Sequence, residues 1–106
     1  MTTIQLADLT KHEVRSLSGQ ERGFTARKHF QLDKLDNEQG PIVIAVPDDV
    51  DSISPSFLRG MFSTSIVALG LSAFLSHYVF DAKPQILKQV SRAVQSTMLD
   101  NDNLFG

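Results

Sequence analysis

Pro41-Ile42-Val43-Ile44-Ala45-Val46-Pro47-Asp48-Asp49-Val50-Asp51-Ser52-Ile53-Ser54-Pro55-Ser56-Phe57-Leu58 is the stretch that decides the fold. Its first third is a run of β-branched and small apolar residues without alternation. Such a run suits a central strand with both faces covered. Pro41 stands at the first residue, where a missing N–H does least harm. The Asp-rich middle leaves the sheet as a loop. Ser54-Pro55 then supplies a helix start, a serine whose hydroxyl can cap a free amide followed by a proline preset for the first turn.

Outward from this stretch, Leu58, Met61, Phe62, Ile66 and Leu69 recur on one helical face, and Gly70 is the expected stop. Upstream, Ser18-Gly19-Gln20-Glu21 matches a capping box, predicting a helix from Gly19 to Leu35 that turns Phe24, Ala26, Phe30 and Leu35 inward. Gly23 inside that helix is an unfavourable residue, by about 1 kcal/mol relative to alanine. Ile4 and Leu6 alternate with polar residues as in a short half-buried strand. Downstream, Leu71 to Phe80 reads as a strand, with Phe74, Tyr78 and Phe80 on one face and Leu75, His77 and Val79 on the other. Ile86, Leu87, Val90, Ala93, Val94 and Met98 form a final helical stripe, with Lys88, Gln89, Arg92 and Gln95 opposite.

The order β-α-β-α-β-α predicts an α/β domain. It has a three-to-four-stranded, mainly parallel or mixed sheet, about three helices and right-handed crossovers. With so few strands, the helices are expected to cover one sheet face and leave the other partly open. The domain is expected over residues 1–99, with 100–106 as a frayed tail. Phe30, Ile42, Val43, Ile44, Leu58, Phe62, Ile66, Val90 and Val94 are the expected core.

Composition limits the functional classes. Of 106 residues, 42% are hydrophobic and 21% charged, ordinary for a globular domain. The chain has no cysteine, which excludes disulfides and thiolate metal sites. A net charge of -2 gives no field directed at nucleic acid or anionic membrane. The most apolar window, Ile66 to Phe80, is interrupted by Ser72, Ser76 and His77 and reads as core, not as a span of about 20 residues. No basic-then-apolar leader is visible, and a cytoplasmic location is expected.

Motif by motif, the catalytic readings fail. His12, His29 and His77 show no metal-helix spacing, and His77 is expected as a half-buried, hydrogen-bonded side chain. Asp48, Asp49 and Asp51 do not make an EF-hand: counted from Asp49, the sixth residue is Ser54 and the twelfth Gly60. Gly19 and Gly23 belong to no phosphate-cradling motif, and no GxSxG elbow occurs. No cofactor is expected. Lys11, Arg15, Arg22, Arg27 and Lys28 make a local basic excess without an aromatic-rich platform, so it reads as solvated helix face. Ser56 stands out instead. In the first helical turn, free amides and the positive dipole end would accept a phosphate on its hydroxyl.

Ile42 to Val46, Val50 and Ile53-Ser54-Pro55-Ser56-Phe57-Leu58 together resemble the central segment of STAS domains, the anti-sigma factor antagonist and sulfate-transporter module. They are closer still to a STAS-like subgroup of bacteria and phages that carries a Ser-x-Ser-Phe turn. The likeness extends roughly from Ser18 to Met98, though its specific motif is about a dozen residues. In the family, a buried strand and a loop with one anchoring valine lead to an Asp-Ser-Ser-Gly-Leu turn. By this resemblance Ser54 stands at the aspartate, Pro55 at the first serine, and Ser56 at the second serine, the phosphorylated one in regulated members. Phe57 replaces the glycine, and Ala45 a common strand aspartate. The resemblance implies a non-enzymatic regulatory module that docks a protein partner, such as a GHKL-type ATPase resembling an anti-sigma kinase. The expected contact residues are Ser54, Ser56, Phe57 and Arg59 of the helix start and Asp49 and Asp51 of the loop. The rival expectation is a phage or host protein with a structural or inhibitory binding role and no phosphoswitch. Nucleic-acid binding through Lys11–Lys28 is a third. Specific nucleic-acid and membrane binding are not expected, and a homodimer is compatible with this reading.

Overall fold

The inward residues of the expected central strand, Ile42 and Ile44, are fully buried in a computed structural model that describes residues 2–105, with side chains described as far as Ser96. The elements run β1 (Thr2–Gln5), α1 (Ala7–Thr10), β2 (Ser16–Leu17), α2 (Gln20–His29), α3 (Leu32–Leu35), β3 (Ile42–Ala45), β4 (Ser52–Ile53), α4 (Pro55–Leu69), α5 (Leu71–His77), β5 (Tyr78–Asp81) and α6 (Pro84–Phe105). The α/β class is as expected, with three short helices, α1, α3 and α5, added to the three long ones. α6 runs on through residues 100–105, where a frayed tail was expected, and the side chain of Met98, expected inward, lies outside the described residues.

The main sheet has the order β1-β3-β5, all parallel. Its register puts Ile4, Ile44 and Phe80 in one row and Thr3, Val43 and Val79 in the next. The first row faces the helices and the second faces away. The strands step one way along the sheet, and the long helices pack in the same order, α2 against α4 and α4 against α6. The other face is left partly open, so Val43, expected in the core, is only half-buried.

Three local expectations are corrected. The helix over Gly19–Leu35 breaks after His29, because Gln31 takes a left-handed conformation (φ 56°) and the chain restarts as α3. Phe24 is 44% exposed, since the inward face of α2 is made of Gly23, Ala26 and Arg27. The segment from Leu71 is a helix before it is a strand. A break at Gly70 turns α5 by 116° from α4. Leu71, Phe74, Leu75 and Tyr78 stand at i, i+3, i+4 and i+7, and this helical turn brings Phe74 and Tyr78 edge-on to Phe62, with ring centroids 5.5 and 5.4 Å away. Among the described residues, no single helix is long and apolar enough to cross a membrane.

Candidate functional site at the joint of two helix starts

Two short strands set the site. β2 and β4 pair in parallel, Ser16 beside Ser52 and Leu17 beside Ile53, and each leads into a helix within two residues. The Ser54 N–H donates to Leu17 O (2.8 Å), so the entries of α2 and α4 lie side by side. From there the helices run together: Gly19 meets Ser56, Gly23 meets Gly60, and Arg27 meets Ser65. The glycine contact is tight. A Cβ on Gly23 would lie 2.2 Å from Phe57 O, and one on Gly60 would lie 2.1 Å from Gln20 O. Gly23 is therefore the residue that lets the helices touch, which offsets its poor helix propensity.

Ser54 is the expected cap of α4, its Oγ accepting from the Phe57 N–H (3.2 Å), with Pro55 in the first turn. Ser56 does more than occupy that turn. Its Oγ accepts from the Gly19 N–H (3.2 Å) and shares a hydrogen bond with Ser54 Oγ (2.9 Å). One half-buried hydroxyl thus joins the two helix entries. The capping box at Ser18 does not form; Gly19 is the N-cap of α2, at φ 93°, and no side chain caps it.

Phe57 is not a contact residue. It is 1% exposed and belongs to the core, near Leu9, Leu17 and Thr25 of the neighbouring segments. Arg59 is half-buried on α4 and already engaged. Asp49 and Asp51 lie in the loop before β4, held by side chains from two other segments, the α1–β2 and β5–α6 connections. His12 Nδ1–H donates to Asp49 (2.7 Å), Arg15 Nε pairs with Asp51 at 3.4 Å, and Lys83 Nζ reaches Asp51 (3.1 Å) and Asp48 O (2.9 Å). Gln85 and Gln89 of α6 add bonds to Asp51 O (3.0 Å) and from the Ile53 N–H (2.8 Å). The loop that reads as merely solvated is strapped to the start of α6. No group of three or more His, Asp or Glu side chains among the described residues could hold a metal ion.

At the other end of the helix pair lies a polar cluster that the sequence reading missed. Arg27, expected on a solvated face, is buried, and all five of its N–H bonds are committed. Nε and Nη2 reach Asp33 (3.0 and 2.6 Å), Nη2 also reaches Asp36 (2.7 Å), and Nη1 reaches Met61 O (2.9 Å) and Ser65 Oγ (2.8 Å). Ser65 donates to Asp36 (2.6 Å), and the Tyr78 hydroxyl donates to the same oxygen. Burial pushes the Asp36 carboxyl up, but the hydrogen bonds from Ser65, Tyr78 and Arg27 outweigh it and leave it below the usual range. Burial raises the Tyr78 hydroxyl, and its bond to Asp36 raises it further. His77 fulfils its expectation: half-buried, it donates from Nε2 to Leu35 O (2.7 Å). With no spare donor on Arg27, this cluster is a weld between α2, α3, α4 and β5.

Compared with known protein families, curated proteins and solved structures, the chain gives no match.

Proposed function

We propose that this domain is a non-enzymatic, cytoplasmic regulatory module of the STAS-like kind. It binds a protein partner at the joined entries of α2 and α4, with Ser56 as the residue on which that binding is switched. The observation that carries the reading is the position of the Ser56 hydroxyl, bonded at once to Ser54 and to the Gly19 N–H. A phosphoryl group there would displace both bonds and place about -1.5 to -2 charges where two helix starts present free amides. It would therefore alter the joint without unfolding either helix, which is what a docking switch requires. The resemblance to STAS domains names the class of partner, a GHKL-type ATPase acting as the kinase. Phe57 takes no part in docking, and Asp49 and Asp51 contribute through the loop that their ion pairs hold in place.

The test is phosphorylation followed by capture. The purified chain is incubated with ATP and a GHKL-type kinase encoded beside it, and the modified residue is located by mass spectrometry. Wild type, Ser56→Ala and Ser56→Asp are then used as bait, with thermal melts alongside. The proposal expects phosphate on Ser56 and a change of captured partner confined to Ser56→Asp. Identical capture by three equally folded baits would sink it.

A further inference from the structure

The helix layer is wider than the sheet beneath it. Three strands spaced about 4.8 Å apart span roughly 10 Å between outer axes, less than three packed helices even with α2 and α4 in glycine contact. α6 ends the helix layer on the side of the edge strand β5, and together with α5 the two line a groove. The groove, of about 270 Å³, has Leu71 and Leu75 of α5, Val79 of β5, and Leu87, Val94 and Gln95 of α6 in its lining, and none of its ten lining residues is charged. Leu75, Val79 and Leu87 are 51%, 45% and 40% exposed, so three of the six exposed large apolar side chains among the described residues line this one groove.

The groove runs along an open strand edge. Asp81 O accepts from the Val46 N–H (2.9 Å), so Asp81 directs its backbone at β3. By the alternation of a parallel ladder, Val79 does the same. Phe80 N–H and C=O and the Tyr78 C=O then point away from the sheet, while the Tyr78 N–H is taken by Phe74 O. The edge carries no lysine or proline to discourage pairing.

We propose that β5 and this groove receive an extended, uncharged segment of a partner protein as a fourth strand, its alternate apolar side chains filling the space under α6. Size selects this occupant over a second copy of the chain. A stable interface between folded proteins uses about 20–30 residues a side, whereas ten lining residues and a four-residue edge match a linear segment, whose backbone bonds give affinity and whose alternate side chains give specificity. The surface is separate from Ser56, so either proposal can fail alone.

The probe is a displayed library of random ten-residue peptides, selected on the whole chain and counter-screened on Leu75→Lys and Leu87→Lys, both at exposed positions that leave the fold intact. The expected result is enrichment of peptides with alternating apolar residues. Their affinity should fall at least tenfold on each variant but stay unchanged on Ser56→Ala. The Phe80 amide should shift in the ¹⁵N spectrum on binding, and the free chain should sediment as a monomer. Failure to enrich such peptides, equal binding to the lysine variants, or an unmoved Phe80 amide would overturn the proposal. So would a wild-type dimer that either lysine variant dissociates, because it would make a second copy the occupant.

Discussion

The starts of α2 and α4 are built from nearly the same residues and end differently. Ser16-Leu17-Ser18-Gly19 leads into one, Ser52-Ile53-Ser54-Pro55 into the other, and Ser16 and Leu17 pair with Ser52 and Ile53. Ser54 caps its helix and Ser18 does not. The residue that follows makes the difference. Pro55 excludes the helical region for the residue before it, holding Ser54 at φ -79° and ψ 154°, the extended conformation an N-cap needs. Gly19 imposes no such limit and itself takes φ 93°. The cap moves one residue on, and the Gly19 N–H finds Ser56 of the neighbouring helix. A serine before a helix is thus a cap only when the next residue holds it in shape. Where that hold is missing, the freed amide is satisfied by the neighbour, and this is how the joint arises.

The largest expected effect lies at the far ends of the same two helices. Asp36→Ala leaves the buried Arg27 with no carboxylate partner but the largely exposed Asp33, and should cost about 3–5 kcal/mol by urea unfolding. Adding Arg27→Met should return part of that loss, since removing both charges is far cheaper than removing one. A double variant no more stable than Asp36→Ala would mean that the cluster is not an ion-pair weld. The same carboxyl sets an acid limb. Because Asp36 ionises more readily folded than unfolded, its stabilisation is fully present above about pH 4 and is lost as pH falls through the lower folded value. Asp36→Asn should flatten stability against pH below about 4, a difference visible in melts across that range.

Midway along the pair, Gly60→Ala forces a methyl group against Gln20 O and should cost about 1–3 kcal/mol as the helices part. The smallest effects bear on the comparison itself. Ser54→Ala should cost about 1 kcal/mol, the usual loss of an N-cap, whereas Ser18→Ala should stay within about 0.5 kcal/mol, as for a surface change away from such features. Equal losses at the two serines, measured by denaturant midpoints, would break the contrast between the two starts.

Much of the fold could be read from residues whose local chemistry admits one answer. Pro41 to Val46, the Ser54-Pro55 start and the Gly70 stop all stand where the sequence puts them, because β-branching, proline and glycine act within a few residues of themselves. The open sheet face also followed from strand number. What escaped depends on distant partners. Arg27 looks like any helix-surface arginine until Asp33, Asp36 and Ser65 close around it. Phe24 is pushed outward because Gly23 and Gly60 have taken the inward face. The helical spacing of Leu71, Phe74, Leu75 and Tyr78 was present but was outweighed by the aromatic content of a short segment. At the site, Ser54 and Ser56 were visible as helix-start residues. The Gly19 bond to Ser56 was not, since it spans 37 residues and depends on the pairing of two two-residue strands.

The central claim is that one hydroxyl, that of Ser56, joins two helix entries and that a phosphate placed on it is held by both. The most direct measurement is the ¹⁵N amide spectrum of the chain carrying phosphoserine at position 56, compared with the unmodified chain. The account predicts strong downfield shifts of amides in both helix starts, in the stretch from Gly19 to Glu21 as well as around Phe57, with a melting temperature no lower than wild type. Shifts confined to the Ser54–Leu58 turn, with Gly19 unmoved, would contradict it and reduce Ser56 to an ordinary first-turn serine.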